Sequence, residues 1–386
     1  MQAILNMNYY FWNKDTISLF DFNFVECDSG SLEISNTINI GKVKKEIIAL
    51  LDMNYKLPDL IYLWKIEFRK NETVIVFPEY SKEKTYISIK HSFNHGINGS
   101  INGYKLKTND TIKLGKVIIK IKEIGNKESN YNISLNKKEK EKTFADGNDE
   151  IQMTSNNNFI QYEMNNVPQI VLNKRKSQKV YKNYACRICL GEENEEENPL
   201  ISPCKCSGTM KLIHLECLKN WLKSKITVKT YNHMVSFSYT ILQCELCLTE
   251  YSERIYYKNQ YFDLLDTSFL KGKYFVLEEE IIKEDQPKCT YYIFFEDKKE
   301  LSLGRSNDCD VRLSDISISR FHAVVQLNGD DIYLQDNDSK FGSLILIEDD
   351  ISLILNKTLV LQNGKHCFFL EIKNSFLLDL CSCCFK

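Results

Sequence analysis

The sequence has no run of about eighteen apolar residues, the length a helix needs to cross a hydrocarbon core, so no transmembrane span is expected. Its first residues, MQAILNMNYYFWNKD, lack a basic stretch followed by an apolar core, so no secretory leader is expected either. An excess of one charge is also missing. Fifty Lys and Arg against 52 Asp and Glu leave a net charge of −2, which supplies no overall field for nucleic acid or an anionic membrane. These absences point to a soluble chain in a reducing cytoplasmic or nuclear setting. There, clustered cysteines more often hold metal than pair as disulfides.

What the sequence has is cysteine, 14 in all. Seven of them and one histidine form four close pairs: Cys186/Cys189, Cys204/Cys206, His214/Cys217 and Cys244/Cys247. One or two residues between partners let a tight turn aim both side chains at one ion. A tetrahedral zinc takes four such ligands, so four pairs fill two ions and leave no coordination position for water. Two structural zinc ions per chain are therefore expected. Disulfides fit poorly, because seven is odd and a histidine sits in phase with the thiols. Cys27, Cys289, Cys309, Cys367, Cys381, Cys383 and Cys384 show no such pairing.

The remainder reads as a multidomain, mainly β chain. Its length suits two or three domains. Residues 1–125 carry short β-rich runs (Leu60–Phe68, Thr73–Phe77, Thr85–Ile89, Lys116–Ile124) broken by Gly and Asn turns, the pattern of a small sandwich or barrel. Residues 126–180 are polar, with NKKEKEK, GNDE and SNNN blocks, and read as a solvated linker. The zinc module covers 181–258, and 259–285 is an aromatic, acidic connection. Between 286 and 375, seven short runs separated by turn signals suggest an antiparallel β-sandwich. A cysteine-rich tail, 376–386, follows; acylation of its cysteines would give weak membrane association.

The ligand order Cys-Cys-Cys-Cys-His-Cys-Cys-Cys occurs in RING-CH (RING-variant) ubiquitin ligases and in PHD fingers, which read histone tails. The single residue inside Cys204/Cys206, the seven residues from Cys206 to His214, and Trp221 four residues after Cys217 resemble RING-CH. So do the runs CKCSGTMKLIHLECLKNWL and QCELC. The 26 residues between Cys217 and Cys244 are at the long end for that family. The resemblance implies a cross-brace, with Cys186, Cys189, His214 and Cys217 on one ion and Cys204, Cys206, Cys244 and Cys247 on the other. It also implies partners: a ubiquitin-charged conjugating enzyme docked on Ile188 and Trp221, and ubiquitin. The finger then has no catalytic residue of its own and acts by positioning. Leu248 stands where many RING domains carry Arg or Lys.

A second resemblance lies downstream. Leu303-Gly304-Arg305-Ser306, Asp310-Val311-Arg312-Leu313, Ile318-Ser319-Arg320-Phe321-His322, Leu334-Gln335-Asp336 and Ser339-Lys340-Phe341-Gly342-Ser343 resemble a forkhead-associated (FHA) domain. FHA domains bind phosphothreonine peptides with loops at one end of a sandwich. The resemblance implies a phosphothreonine-containing protein partner, held by Arg305, Ser319, Arg320 and Lys340, with Gly304, His322 and Gly342 shaping the loops. Phe341 departs from the Asn usual at its place. The segment Asn98–Glu123 faintly resembles the second half of another FHA sandwich. The leading expectation is a ubiquitin ligase that selects phosphothreonine targets. A non-enzymatic phospho-dependent scaffold and a PHD-like chromatin reader are the alternatives.

Overall fold

The computed structural model describes residues 3–12, 20–22, 27–51, 58–69, 72–78, 83–93, 102–127, 185–192, 194–258, 260–280 and 287–374. Residues 128–180 of the linker, the turn sequence 95–99 and the cysteine-rich tail lie outside these residues; residues 126 and 127 belong to a strand.

Alternating β-branched and aromatic residues make strands wherever one face can be buried. The N-terminal part forms β1 (Ala3–Trp12), β2 (Cys27–Ile34), β3 (Ile38–Val43), β4 (Glu46–Leu50), β5 (Ile61–Phe68), β6 (Thr73–Val76), β7 (Thr85–Ser88), α1 (Ile89–Phe93), β8 (Tyr104–Lys105), β9 (Thr111–Leu114) and β10 (Val117–Lys127). The cysteine-rich region adds β11 (Leu200–Ile201), β12 (Ile213–His214), α2 (Leu215–Lys223), β13 (Thr227–Thr230) and β14 (Met234–Tyr239), then the hairpin β15 (Arg254–Tyr257) and β16 (Gln260–Asp263). The C-terminal part supplies β17 (Gly272–Glu279), β18 (Lys288–Phe294), β19 (Glu300–Gly304), β20 (Val311–Arg312), β21 (Ala323–Asn328), β22 (Asp331–Asp336), β23 (Ser343–Leu346), β24 (Ile351–Leu353), β25 (Thr358–Asn363) and β26 (His366–Asn374).

These strands build two sandwiches, and each draws on both ends of the chain. In the first, β18-β17-β10-β9-β23 faces β20-β19-β21-β22-β8. In the second, β2-β1-β26-β25-β7 faces β4-β3-β5-β6-β24. Each sandwich thus takes its leading strands from one half of the chain and its last three from the other. The cores follow the same division. Ile112, Ile119 and Ile121 are buried with Leu303, Val325 and Leu334, whereas Leu361, Phe368 and Leu370 are buried with Leu5, Ile40 and Ile66. The two exchanged hairpins are alike, each a two-residue Gly-Lys turn: Gly115-Lys116 joins β9 to β10, and Gly364-Lys365 joins β25 to β26. Both glycines have positive φ, 61° and 56°, which suits the tight turns that follow the twist of a hairpin.

Strands β7 and β23 pair with each other, Ile87 opposite Ile345, and so fuse the larger sheets. At the far edge β14 pairs with β18, Phe237 opposite Thr290, and brings β13 with it. The result is one twelve-stranded sheet. The long stretch between Cys217 and Cys244 supplies the β13–β14 hairpin, so the cysteine-rich region joins the first sandwich by strand pairing. Its tether is local as well. Strands β10 and β17 are antiparallel neighbours, Lys127 opposite Gly272, so everything from 128 to 271 is an excursion between adjacent strands. Among the described residues no helix is long and apolar enough to cross a membrane.

Candidate functional sites

In the cysteine-rich region the pairing of β11 with β12, Leu200 opposite His214, sets His214 at the end of one strand and the Cys204–Cys206 turn just beyond the other. Helix α2 follows His214 at once and buries Leu215, Leu218 and Leu222, which fixes Cys217 on its first turn. Two groups of four donors result: Cys186, Cys189, His214 and Cys217, and Cys204, Cys206, Cys244 and Cys247. Within each group the donor atoms lie within 4.8 Å of one another. The Cys206 and Cys244 sulfurs are 3.7 Å apart, and His214 Nδ1 is 3.1 Å from Cys189 Sγ. Ligands about 2.3 Å from a tetrahedral zinc stand about 3.8 Å from each other, so both donor sets fit such an ion. Neither group includes a carboxylate, and no fourth donor is missing, as a closed structural site requires.

The backbone prepares two of these thiols, Cys186 and Cys244, whereas burial pushes Cys204, Cys206 and Cys217 up. Burial opposes ionisation of Cys186, but N–H groups of Cys189, His214 and Ile188 outweigh it and bring the thiol down to about 6. Cys244 is likewise brought down to about 5 against its burial. Arg187, missed in the sequence reading, links the two groups. From its place beside Cys186 its guanidinium lies 3.7 Å from Cys204 Sγ and 3.6 Å from Cys244 Sγ, and it donates to Met210 O and to the Tyr251 hydroxyl at 3.0 Å each. A cation there offsets part of the charge of four thiolates. Position alone does not distinguish an arginine between two ligands from a solvated one, so nothing in the residue pattern singles Arg187 out.

The ligand turns also leave apolar side chains in solvent. Ile188 and Leu190 of the first turn are 46% and 76% exposed, and Leu246 and Leu248 of the last are 57% and 66% exposed. Trp221 is half-buried, edge-on to Tyr251 with centroids 6.2 Å apart, and Lys225 lies over its face.

At one end of the first sandwich, loops after β19, before β21 and after β22 converge. Gly304 is needed because a Cβ there would meet Arg320 O at 2.1 Å. The Arg305 side chain is exposed, and its backbone N–H donates to Ser319 O at 3.1 Å. Arg320 is exposed as well. Ser319 Oγ accepts from Lys340 N–H at 3.2 Å, which brings Ser319 and Lys340 together. His322 is buried behind them. Ser319 N–H donates to its Nδ1 at 3.0 Å, so Nε2 carries the proton and donates to Gly342 O at 3.3 Å. Gly342 has φ of 72° and sits against Phe22. Asp336 collects Ser339 and Ser343 and holds the loop between β22 and β23.

Two buried histidines give these sandwiches a pH dependence. Burial lowers the pKa of His322 below its ordinary 6.5. Burial, and then the Lys42 charge, lower that of His366 to about 4. The folded state resists protonating both, so stability is intact above pH 6.5 and declines as pH falls from there toward the folded-state values. For His366 the decline should reach on the order of 3 kcal/mol at pH 4, from 1.36 kcal/mol per pKa unit. Denaturant midpoints measured from pH 7.5 to 4 should fall less steeply in His366→Gln than in the unmodified chain. Equal slopes would remove this assignment.

Paired turns feeding two interleaved four-donor groups define a cross-brace zinc finger, and the converging loops close one end of a β-sandwich. More particularly, the family model described as the RING-variant domain matches residues 186–247, and that of the FHA domain matches residues 301–368. The chain is 44% identical over 62 residues to a probable E3 ubiquitin-protein ligase, MARCHF10, of Rattus norvegicus, covering 16% of this chain and 7% of that protein. It is 52% identical over 42 residues to the E3 ubiquitin-protein ligase MARCHF1 of Homo sapiens, 11% of this chain and 14% of that one. It is 42% identical over 62 residues to the ERAD-associated E3 ubiquitin-protein ligase DOA10 of Saccharomyces cerevisiae, 16% and 4%. The chain therefore spans only a small fraction of these relatives. No solved structure matches it.

Proposed function

We propose that the chain is a RING-type ubiquitin ligase that selects phosphothreonine-bearing proteins. The observation that carries the first half is the set of exposed apolar side chains on the two ligand turns, Ile188, Leu190, Leu246 and Leu248, beside the half-buried Trp221. Rigid turns that hold isoleucine and leucine in water suit a partner that covers them. A conjugating enzyme is the partner that the names of the similar ligases suggest. The finger binds it and orients its thioester for a substrate lysine, a gain made by positioning. Support for the second half is the exposed Arg305 side chain on a loop whose backbone N–H donates to Ser319 O, which sets a planar donor fork and a hydroxyl donor suited to phosphate on adjoining loops.

The test is autoubiquitination against a panel of conjugating enzymes. Ile188→Ala and Trp221→Ala should each abolish chain formation while metal content stays unchanged, since truncating an interface anchor costs about 2 kcal/mol or more. Activity that survives both substitutions would move the docking face elsewhere. A wild-type chain inert with every enzyme would favour the non-enzymatic scaffold.

A further inference from the structure

The phosphopeptide end of the first sandwich is finished by a piece of chain from far away in sequence. Residues 20–22 lie across the outer face where β7 meets β23, with Phe20 and Phe22 buried beside Tyr86, Leu344 and Val360. Phe22 N–H donates to Lys340 O at 3.3 Å. The Phe22 ring approaches within 2.7 Å of where a Cβ would stand at Gly342, and it stacks on His91. Between these contacts, the Asp21 carboxylate lies 3.6 Å from the Lys340 ammonium. The Asp21 side chain is 10% exposed and Lys340 is 59% exposed. A recessed carboxylate is screened little by solvent, so it holds a largely exposed cation that also lies over the Phe341 ring, 5.3 Å from its centroid. That cation stands on the residue whose N–H binds Ser319.

The second sandwich shows a further internal carboxylate at the corresponding place. There Ile40-Gly41-Lys42 repeats Leu303-Gly304-Arg305: Ile40 pairs with Trp64 as Leu303 pairs with Ala323, and each glycine backs onto a carbonyl of the facing segment. Lys42 is buried, ion-paired with Glu83 from the loop before β7, and 2.8 Å from Asn363 Oδ1. In that sandwich the cation is fully occupied from within. In the first sandwich Arg305 stays exposed, and the internal carboxylate of Asp21 pairs with Lys340.

We infer that Asp21 is a specificity-determining residue of the phosphopeptide site: its carboxylate holds Lys340 so that a phosphate dianion recruits this cation and a carboxylate monoanion does not. The inference rests on the phosphothreonine reading above. Exchanging Asp21 for a peptide Asp or Glu replaces one monoanion by another and gains nothing. A phosphate brings nearly twice the charge at neutral pH. Discrimination against acidic peptides then comes from an internal competitor, by penalising the wrong ligand.

The experiment uses the full chain and three degenerate fluorescent peptide pools, with phosphothreonine, glutamate or threonine at the fixed position. The wild-type chain should prefer phosphothreonine over glutamate. Asp21→Asn should bind both more tightly, glutamate by the larger factor, so that the preference falls at least threefold. In a Lys340→Gln background Asp21→Asn should change nothing. An unchanged or increased preference in a folded Asp21→Asn chain would overturn the inference. Asp21→Ser replaces it if the Asn variant does not keep the wild-type melting temperature; if neither folds, Asp21 is structural and the inference fails. Arg305→Ala separates the two levels. If wild type binds phosphothreonine and Arg305→Ala does not, the reading stands whatever Asp21 does. If wild type and Asp21→Asn are both inert, the reading and the inference fall together; if Asp21→Asn binds phosphothreonine while wild type is inert, the reading stands and the inference fails, because the carboxylate then keeps Lys340 from phosphate as well.

Discussion

Cys244→Ala is expected to lower metal content from two zinc ions per chain to at most one and to unfold the finger. Cys244 is fully buried, sits in the second donor group, and shares Arg187 with Cys204. Structural zinc contributes about 10–16 kcal/mol in small finger peptides, comparable to the whole stability of an ordinary domain, about 5–15 kcal/mol. The cross-brace spreads the damage, because the Cys204–Cys206 turn and the Cys244–Cys247 turn are held to each other through that one site. Elemental analysis gives the count, and thermal unfolding should show a transition of the finger lost while the sandwich transition persists. A chain that keeps two ions after this substitution would sink the four-donor assignment.

Arg305→Ala should remove most of the preference for a phosphothreonine peptide over its unphosphorylated twin. Hydrogen bonds to a charged partner contribute about 1.5–3 kcal/mol, so at least a tenfold loss of affinity is expected, 1.4 kcal/mol being one factor of ten. Ser319→Ala should lose part of it. His322→Ala should act through the loop, since His322 bridges Ser319 N–H and Gly342 O and its side chain is buried. Titration by calorimetry or anisotropy should use the whole chain. A fragment cut at 286–375 leaves out β8, β9, β10 and β17, which belong to the same sandwich as Arg305. Undiminished discrimination in a folded Arg305→Ala chain would place the phosphate elsewhere.

The metal groups were legible in the sequence because close pairs are a local property: two donors one or two residues apart share a turn whatever the rest of the chain does. Which pairs combine was not local, and it came only from resemblance. The strands of both ends were legible for a similar reason. Alternation in Thr111–Leu114 or Thr358–Asn363 fixes which face is buried. It says nothing about which neighbour completes the ladder, and a hairpin with a Gly-Lys turn fits either sandwich equally well. The segment Asn98–Glu123 looked like the second half of a sandwich, and its last strands do close one, beside the Arg305 loops rather than beside β1. Asp21 and Phe22 gave no signal, because the short stretch 20–22, outside any strand, carries no period.

The excursion from 128 to 271 sets a timetable for synthesis. Strand β10 ends at Lys127, and its neighbour β17 begins at Gly272, 145 residues later. At about 5–20 residues per second the nascent chain waits roughly 7–30 s before that partner emerges. During the wait β8, β9 and β10 are within reach of the seven strands that precede them, whose own final partners, β24 to β26, have yet to be made. Refolding from denaturant offers all partners at once. The order of emergence on the ribosome therefore favours closure on the local neighbours, and the exchanged arrangement requires that early pairing to be held open or undone.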